Sequence, residues 1–85
     1  MTITLAIVRA LIDALLVLEH SGPDEINPDT AVRGMENVAS SLLVLEESEQ
    51  RAVRGYFVQI ADDAEDEAYG KFVRSLPDML GLAAD

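Results

Sequence analysis

Apolar residues recur at spacings of three and four along nearly the whole chain, and this constrains the fold more than any other feature. A period near 3.6 places such residues on one side of a helix, whereas a half-buried strand needs alternation at every second position. The first segment, from Thr2 to about His20, puts Thr2, Arg9, Asp13 and His20 on one narrow polar strip. Ile3, Ile7, Leu11, Ile12, Leu15 and Leu18 occupy most of the remaining circumference. A helix this apolar suits a position surrounded by other helices or one shared between subunits, so the sequence predicts it as the central helix. Ser21-Gly22-Pro23 closes it, with Gly22 free to take a left-handed cap and Pro23 unable to continue.

Asn27-Pro28 reads as an N-cap followed by proline at the first helical position, which starts a second helix running to about Leu45. Its expected buried stripe is Ala31, Val32, Met35, Val38, Ala39, Leu42 and Leu43. Carrying that helix on would put Glu46, Glu49 and Gln50 into the apolar stripe, so a turn is expected with Ser48 capping a third helix. Val53, Tyr56, Phe57, Ile60, Ala61 and Ala64 form the third stripe. Beyond a densely acidic stretch, Ala68, Tyr69, Phe72, Val73 and Leu76 form another face, rotated by roughly 130° on the 3.6-residue period. One straight helix cannot bury both faces, so a bend between Asp62 and Asp66 and a short fourth helix are predicted. Pro77 should force a stop or restart near Leu76, and Gly81 should close a last apolar turn.

The expected architecture is therefore all-α, a single domain over residues 1–85 built as a small bundle of three to four helices. A chain of this length buries only about 60% of its unfolded surface, and there is no cysteine for a disulfide or thiolate metal site. Homodimerisation is one way to complete so small a core. Gly34 and Gly55 sit inside predicted helices, where each costs about 1 kcal/mol relative to alanine. Close helix contact is one return for that cost and sequence drift the other reading. The start of the chain lacks a basic region, and Arg9 and Asp13 interrupt the apolar run behind it. Neither a signal peptide nor a membrane span is expected, and the cytoplasm is the expected location.

Sixteen acidic residues oppose six basic ones, for a net charge of −10. Such a field repels phosphate backbones and anionic membrane surfaces and attracts basic partners. Neither nucleic acid nor membrane is therefore an expected partner, and Arg33, Arg51, Arg54, Lys71 and Arg74 are too few to form a basic stripe. Arg51 and Arg54 are expected to pair with nearby carboxylates such as Glu47. His20 is the only histidine, placed where a cation complements a helix C-terminus, and without cysteine or a second histidine nucleophilic catalysis has no base pair to use. No glycine-rich phosphate loop, EF-hand spacing or Glu-x-x-His pair occurs, so neither a cofactor nor a metal is expected.

What remains is a non-catalytic role carried by contact. The acidic residues fall in three stretches: Asp62, Asp63, Glu65, Asp66 and Glu67; Glu46, Glu47 and Glu49; and Asp24, Glu25 and Asp29. These are the expected partner-binding residues, the first stretch leading and the second assisting. In small size, acidity and helical content the chain resembles bacterial immunity proteins of toxin–immunity pairs. That resemblance implies an inhibitor masking a basic site, such as a nuclease or other toxin domain. A homo-oligomeric helical adaptor or structural subunit is the alternative, with apolar residues carrying the contact.

Overall fold

A computed structural model describes residues 2–84 and shows four helices: α1 Ile3–His20, α2 Pro28–Leu43, α3 Glu47–Asp63 and α4 Glu67–Met79. No strand occurs among the described residues, and no helix is long and apolar enough to cross a membrane. The bundle is all-α, as the periodicity predicts.

Local signals start each helix. The Thr2 hydroxyl accepts from Leu5 N–H at 3.1 Å, Asn27 Oδ1 from Asp29 N–H at 2.8 Å, and Asp66 Oδ1 from Ala68 and Tyr69 N–H at 2.8 and 3.1 Å. Each satisfies donors that a helix start leaves without partners. The third helix corrects the sequence reading. Glu46, not Ser48, is its N-cap, and Glu46 N–H donates to Glu49 Oε1 at 3.1 Å. The carboxylate of Glu49, reaching back from the first turn, satisfies the N-cap N–H as the return half of a capping box. The second helix also ends two residues early, at Leu43 rather than Leu45.

Pro77 does not stop α4, which continues through it to Met79. Only the Pro77 N–H is missing, and so close to the end the helix needs few further bonds. The exit is a Schellman arrangement. Gly81 takes φ +75°, its N–H donates to Asp78 O at 3.1 Å, and Leu82 N–H donates to Pro77 O at 3.0 Å. This folds Leu80 and Leu82 back into the core.

The core gathers Val8, Ile12 and Leu15 of α1, Phe57, Ile60 and Ala61 of α3, Val73 and Leu76 of α4, and the two tail leucines. α2 contributes no fully buried residue. Met35, Val38, Ala39 and Leu42 pack against the core from outside, partly buried. Val32 and Leu43, expected in its buried stripe, are 56% and 44% exposed. Nor is α1 enclosed on all sides: Ile3, Ile7 and Val17 are 81%, 64% and 57% exposed. The closest helix pair is α3 with α4, and α1 lies across it with α2 on its other flank. The reading of α1 as a surrounded central helix is thus corrected: one face is core and the opposite face meets solvent.

Two polar side chains of α3 fasten the tail and the preceding turn. Gln50, 8% exposed, donates from Nε2 to Leu45 O at 2.9 Å and accepts Ala83 N–H at 3.0 Å. Arg54 donates to Ala83 O at 3.1 Å, Leu82 O at 2.7 Å and Asp78 Oδ1 at 2.9 Å. Arg51 does pair with Glu47, at 3.7 Å, but Arg54 reaches 24 residues along the chain instead.

Candidate protein-binding surface

The densest acidic stretch forms the corner between α3 and α4, and its carboxylates divide by task. Asp62 accepts from Arg74 at 2.6 Å and Glu67 lies 3.8 Å from Lys71, so both are drawn into surface ion pairs. Asp66 caps α4. Asp63 and Glu65 are exposed and make no ion pair among the described residues.

α1 crosses this corner and closes one side of a cleft of about 520 Å³. Leu5, Ile60, Ala64 and the Tyr69 ring supply apolar lining, while Asp63, Glu65 and Asp66 supply the acidic edge, with Gln59 beside them. Arg9 also lines the cleft, its guanidinium carbon 6.0 Å from the Tyr69 ring centroid. The Tyr69 hydroxyl donates to Asp13 Oδ1 at 3.0 Å, tying α4 to α1. Burial, the hydrogen bond to Asp13 and the charge of Asp13 together hold the Tyr69 phenol above its ordinary range, with Arg9 opposing. At the far end of α1, His20 packs edge-on to Phe72 with ring centroids 5.3 Å apart, and its Nδ1 lies 3.2 Å from Leu16 O.

The three acidic stretches do not converge. Glu46, Glu47 and Glu49 lie at the start of α3 and Asp62 and Asp63 at its end, about 25 Å apart at 1.5 Å per residue. Glu46 and Glu49 are occupied with starting the helix and Glu47 with Arg51. Asp24, Glu25 and Asp29 follow the C-terminal end of α1, about 22 Å along the helix from Leu5 at the corner cleft. The second stretch therefore lies at the opposite end of α3 from the first. Sequence reasoning missed Leu5, Arg9, Gln59, Ile60 and Tyr69 as lining of the acidic cleft. Their only sequence signal was an apolar or mixed position on a helix face, which is also what a core residue shows.

Among the described residues no group of three or more histidine or acidic side chains could hold a metal ion. Compared with protein-family models, with curated proteins and with solved structures, the chain matches none.

Proposed function

We propose that the chain is a non-catalytic, acidic protein-binding module that receives basic side chains of a partner protein at the α3–α4 corner. The observation that carries this reading is the cleft itself. It combines an apolar lining with Arg9 beside the Tyr69 ring and carboxylates at its edge, two of which, Asp63 and Glu65, make no ion pair among the described residues. Lysine and arginine have the complementary build, an aliphatic stem that favours apolar surface and a charged head that seeks carboxylates. An immunity or antitoxin-like inhibitor that covers a basic toxin or nuclease site would use such a surface, because a cleft that holds phosphate is itself basic. The alternative, a homo-oligomeric adaptor or structural subunit, draws on the incomplete burial of α1 and α2.

Affinity capture from the native host, using the parent and an Asp63→Lys/Glu65→Lys variant, tests the proposal. Both substituted positions are exposed, so the helical spectrum should be unchanged. The parent should retain a basic protein whose association slows between about 0.01 and 0.15 M salt, as the Debye length falls from about 30 to about 8 Å. The variant should lose it. Retention of the same partner by both forms, with equal association rates, would refute the acidic-cleft reading.

A further inference from the structure

The outward face of α1 carries Ile3, Ile7, Ala10, Ala14 and Val17, at successive spacings of four, three, four and three. All five are exposed. This is the a/d spacing of a coiled-coil seam. On a helical wheel it lies opposite the Val8, Ile12 and Leu15 face buried in the core, so α1 has two apolar sides and its own bundle covers only one. The seam contains no charged residue although the chain carries a net charge of −10. On one flank it runs into an open, mainly apolar groove between α1 and α2, lined by Leu11, Val38 and Leu42 with Asn37 and Ser41.

We propose that this seam pairs with α1 of a second copy, antiparallel, about a two-fold axis close to Ala10; the inference does not depend on the acidic cleft. The order of side-chain sizes selects this arrangement. Antiparallel pairing sets Ile7 against Ala14 on either side of an Ala10–Ala10 contact, so the centre of the seam packs large on small and the helices approach closely, with Ile3 against Val17 closing each end. Parallel pairing sets Ile7 on Ile7 and leaves consecutive alanine layers empty. Electrostatics selects the same answer. The acidic α3–α4 corner lies beside Leu5 and Arg9, so parallel pairing would put two such corners level. The antiparallel pair separates the two Leu5 positions by about 15 Å along the axis, beyond the Debye length of about 8 Å in physiological salt, and opposes the helix dipoles.

The area is adequate only if the groove takes part. Ile3, Ile7 and Val17 each offer on the order of 100 Å². With the seam alanines and the Leu11, Val38 and Leu42 groove, the pair reaches on the order of 1,000 Å², the lower bound for a specific interface. The interface is isologous and closes on itself, giving a dimer rather than a filament.

Because the protein has no cysteine, single cysteines report the geometry directly. A disulfide needs Cα atoms within about 7 Å, which facing positions on closely packed helices can meet. Sedimentation equilibrium of the parent over micromolar to submillimolar concentrations should show a reversible dimer. Under mild oxidation Ala10→Cys should cross-link to itself, and Ile3→Cys mixed with Val17→Cys should form the mixed disulfide in preference to either self-linked product. Ile7→Asp, at a solvent-exposed position, should keep the parent's helical spectrum and raise the dimer dissociation constant by at least about a hundredfold. A parent that stays monomeric throughout this range would overturn the proposal. So would an Ile7→Asp protein that still dimerises, or self-linking by Ile3→Cys and Val17→Cys that outruns their mixed disulfide.

Discussion

Truncating Arg54 to alanine should destabilise the protein by about 2–3 kcal/mol, although the residue is distant in sequence from everything it holds. Its guanidinium donates to the carbonyls of Leu82 and Ala83 and to Asp78, and its side chain is 20% exposed. A hydrogen bond from a charged donor contributes about 1.5–3 kcal/mol net, and water replaces part of that at a partly open site. The upper limit is set by what the tail carries. Leu80 and Leu82 are 2% and 4% exposed, and stripping both from the core would cost about 3–6 kcal/mol at about 1.5–3 each. Gln50 still holds Ala83 N–H, so release should be partial and the loss should fall below that limit. For a domain this small the loss corresponds to a fall in Tm of about 10–20 °C. Urea denaturation followed by circular dichroism measures it. Arg54→Lys should recover less than half, because an ammonium cannot reproduce the planar fork. Asp78→Asn should cost less than about 0.5 kcal/mol, since that carboxylate is 83% exposed. An Arg54→Ala protein within about 0.5 kcal/mol of the parent, with Ala83 N–H equally protected from exchange, would refute the view that α3 latches the tail.

The two mid-helix glycines should respond differently. A Cβ at Gly55 meets nothing within 4 Å, so Gly55→Ala should stabilise by up to about 1 kcal/mol. At Gly34 it would sit 3.0 Å from Leu18 Cδ1, and Gly34→Ala should fall short of Gly55→Ala by about 1 kcal/mol; equal effects in chemical denaturation would show that α1 and α2 do not approach there. Tyr69 should titrate above the ordinary phenol value of about 10. Folding therefore favours its protonated form, so its contribution is intact below pH about 10 and is lost as pH rises through the higher folded value. Phenolate absorbance of the parent minus that of Tyr69→Phe isolates the transition, and a midpoint at or below about 10 would contradict the hydrogen bond to Asp13.

Most of the fold was legible because its determinants are local. Asn27-Pro28 starts α2 where the cap preference says, Gly81 turns the chain at positive φ, and the rotation between the Phe57 and Val73 faces requires the bend that the structure places after Asp63. The misreadings arose where a local rule met a tertiary contact. Pro77 predicts a stop or restart near Leu76, yet the helix runs on to Met79, the Schellman exit follows directly and the buried Leu76 anchors the last turn. Ser48 lost the cap to Glu46 because a carboxylate three residues on can return to the backbone, a pattern that the expected Ser48 cap obscured. The apolar circumference of α1 is legible in the sequence, but within one chain only one of its faces is covered: periodicity reports which faces are apolar, not which neighbour covers them. The candidate cleft was half legible. Its carboxylates stood out as a run, but Leu5, Arg9 and Tyr69 join them only through the crossing of α1 over the α3–α4 corner.

The central claim is that the corner cleft, and not acidity spread over the surface, receives basic side chains. A tetra-arginine peptide titrated into the 15N-labelled protein at physiological salt tests it most directly, because every acidic stretch is reported separately in one spectrum. The account predicts saturable amide shifts concentrated at Leu5, Arg9 and residues 59–69, with little change around Asp24, Glu25 and Asp29 or around Glu46, Glu47 and Glu49. Shifts of similar size at all three acidic stretches, or none at the corner, would contradict it.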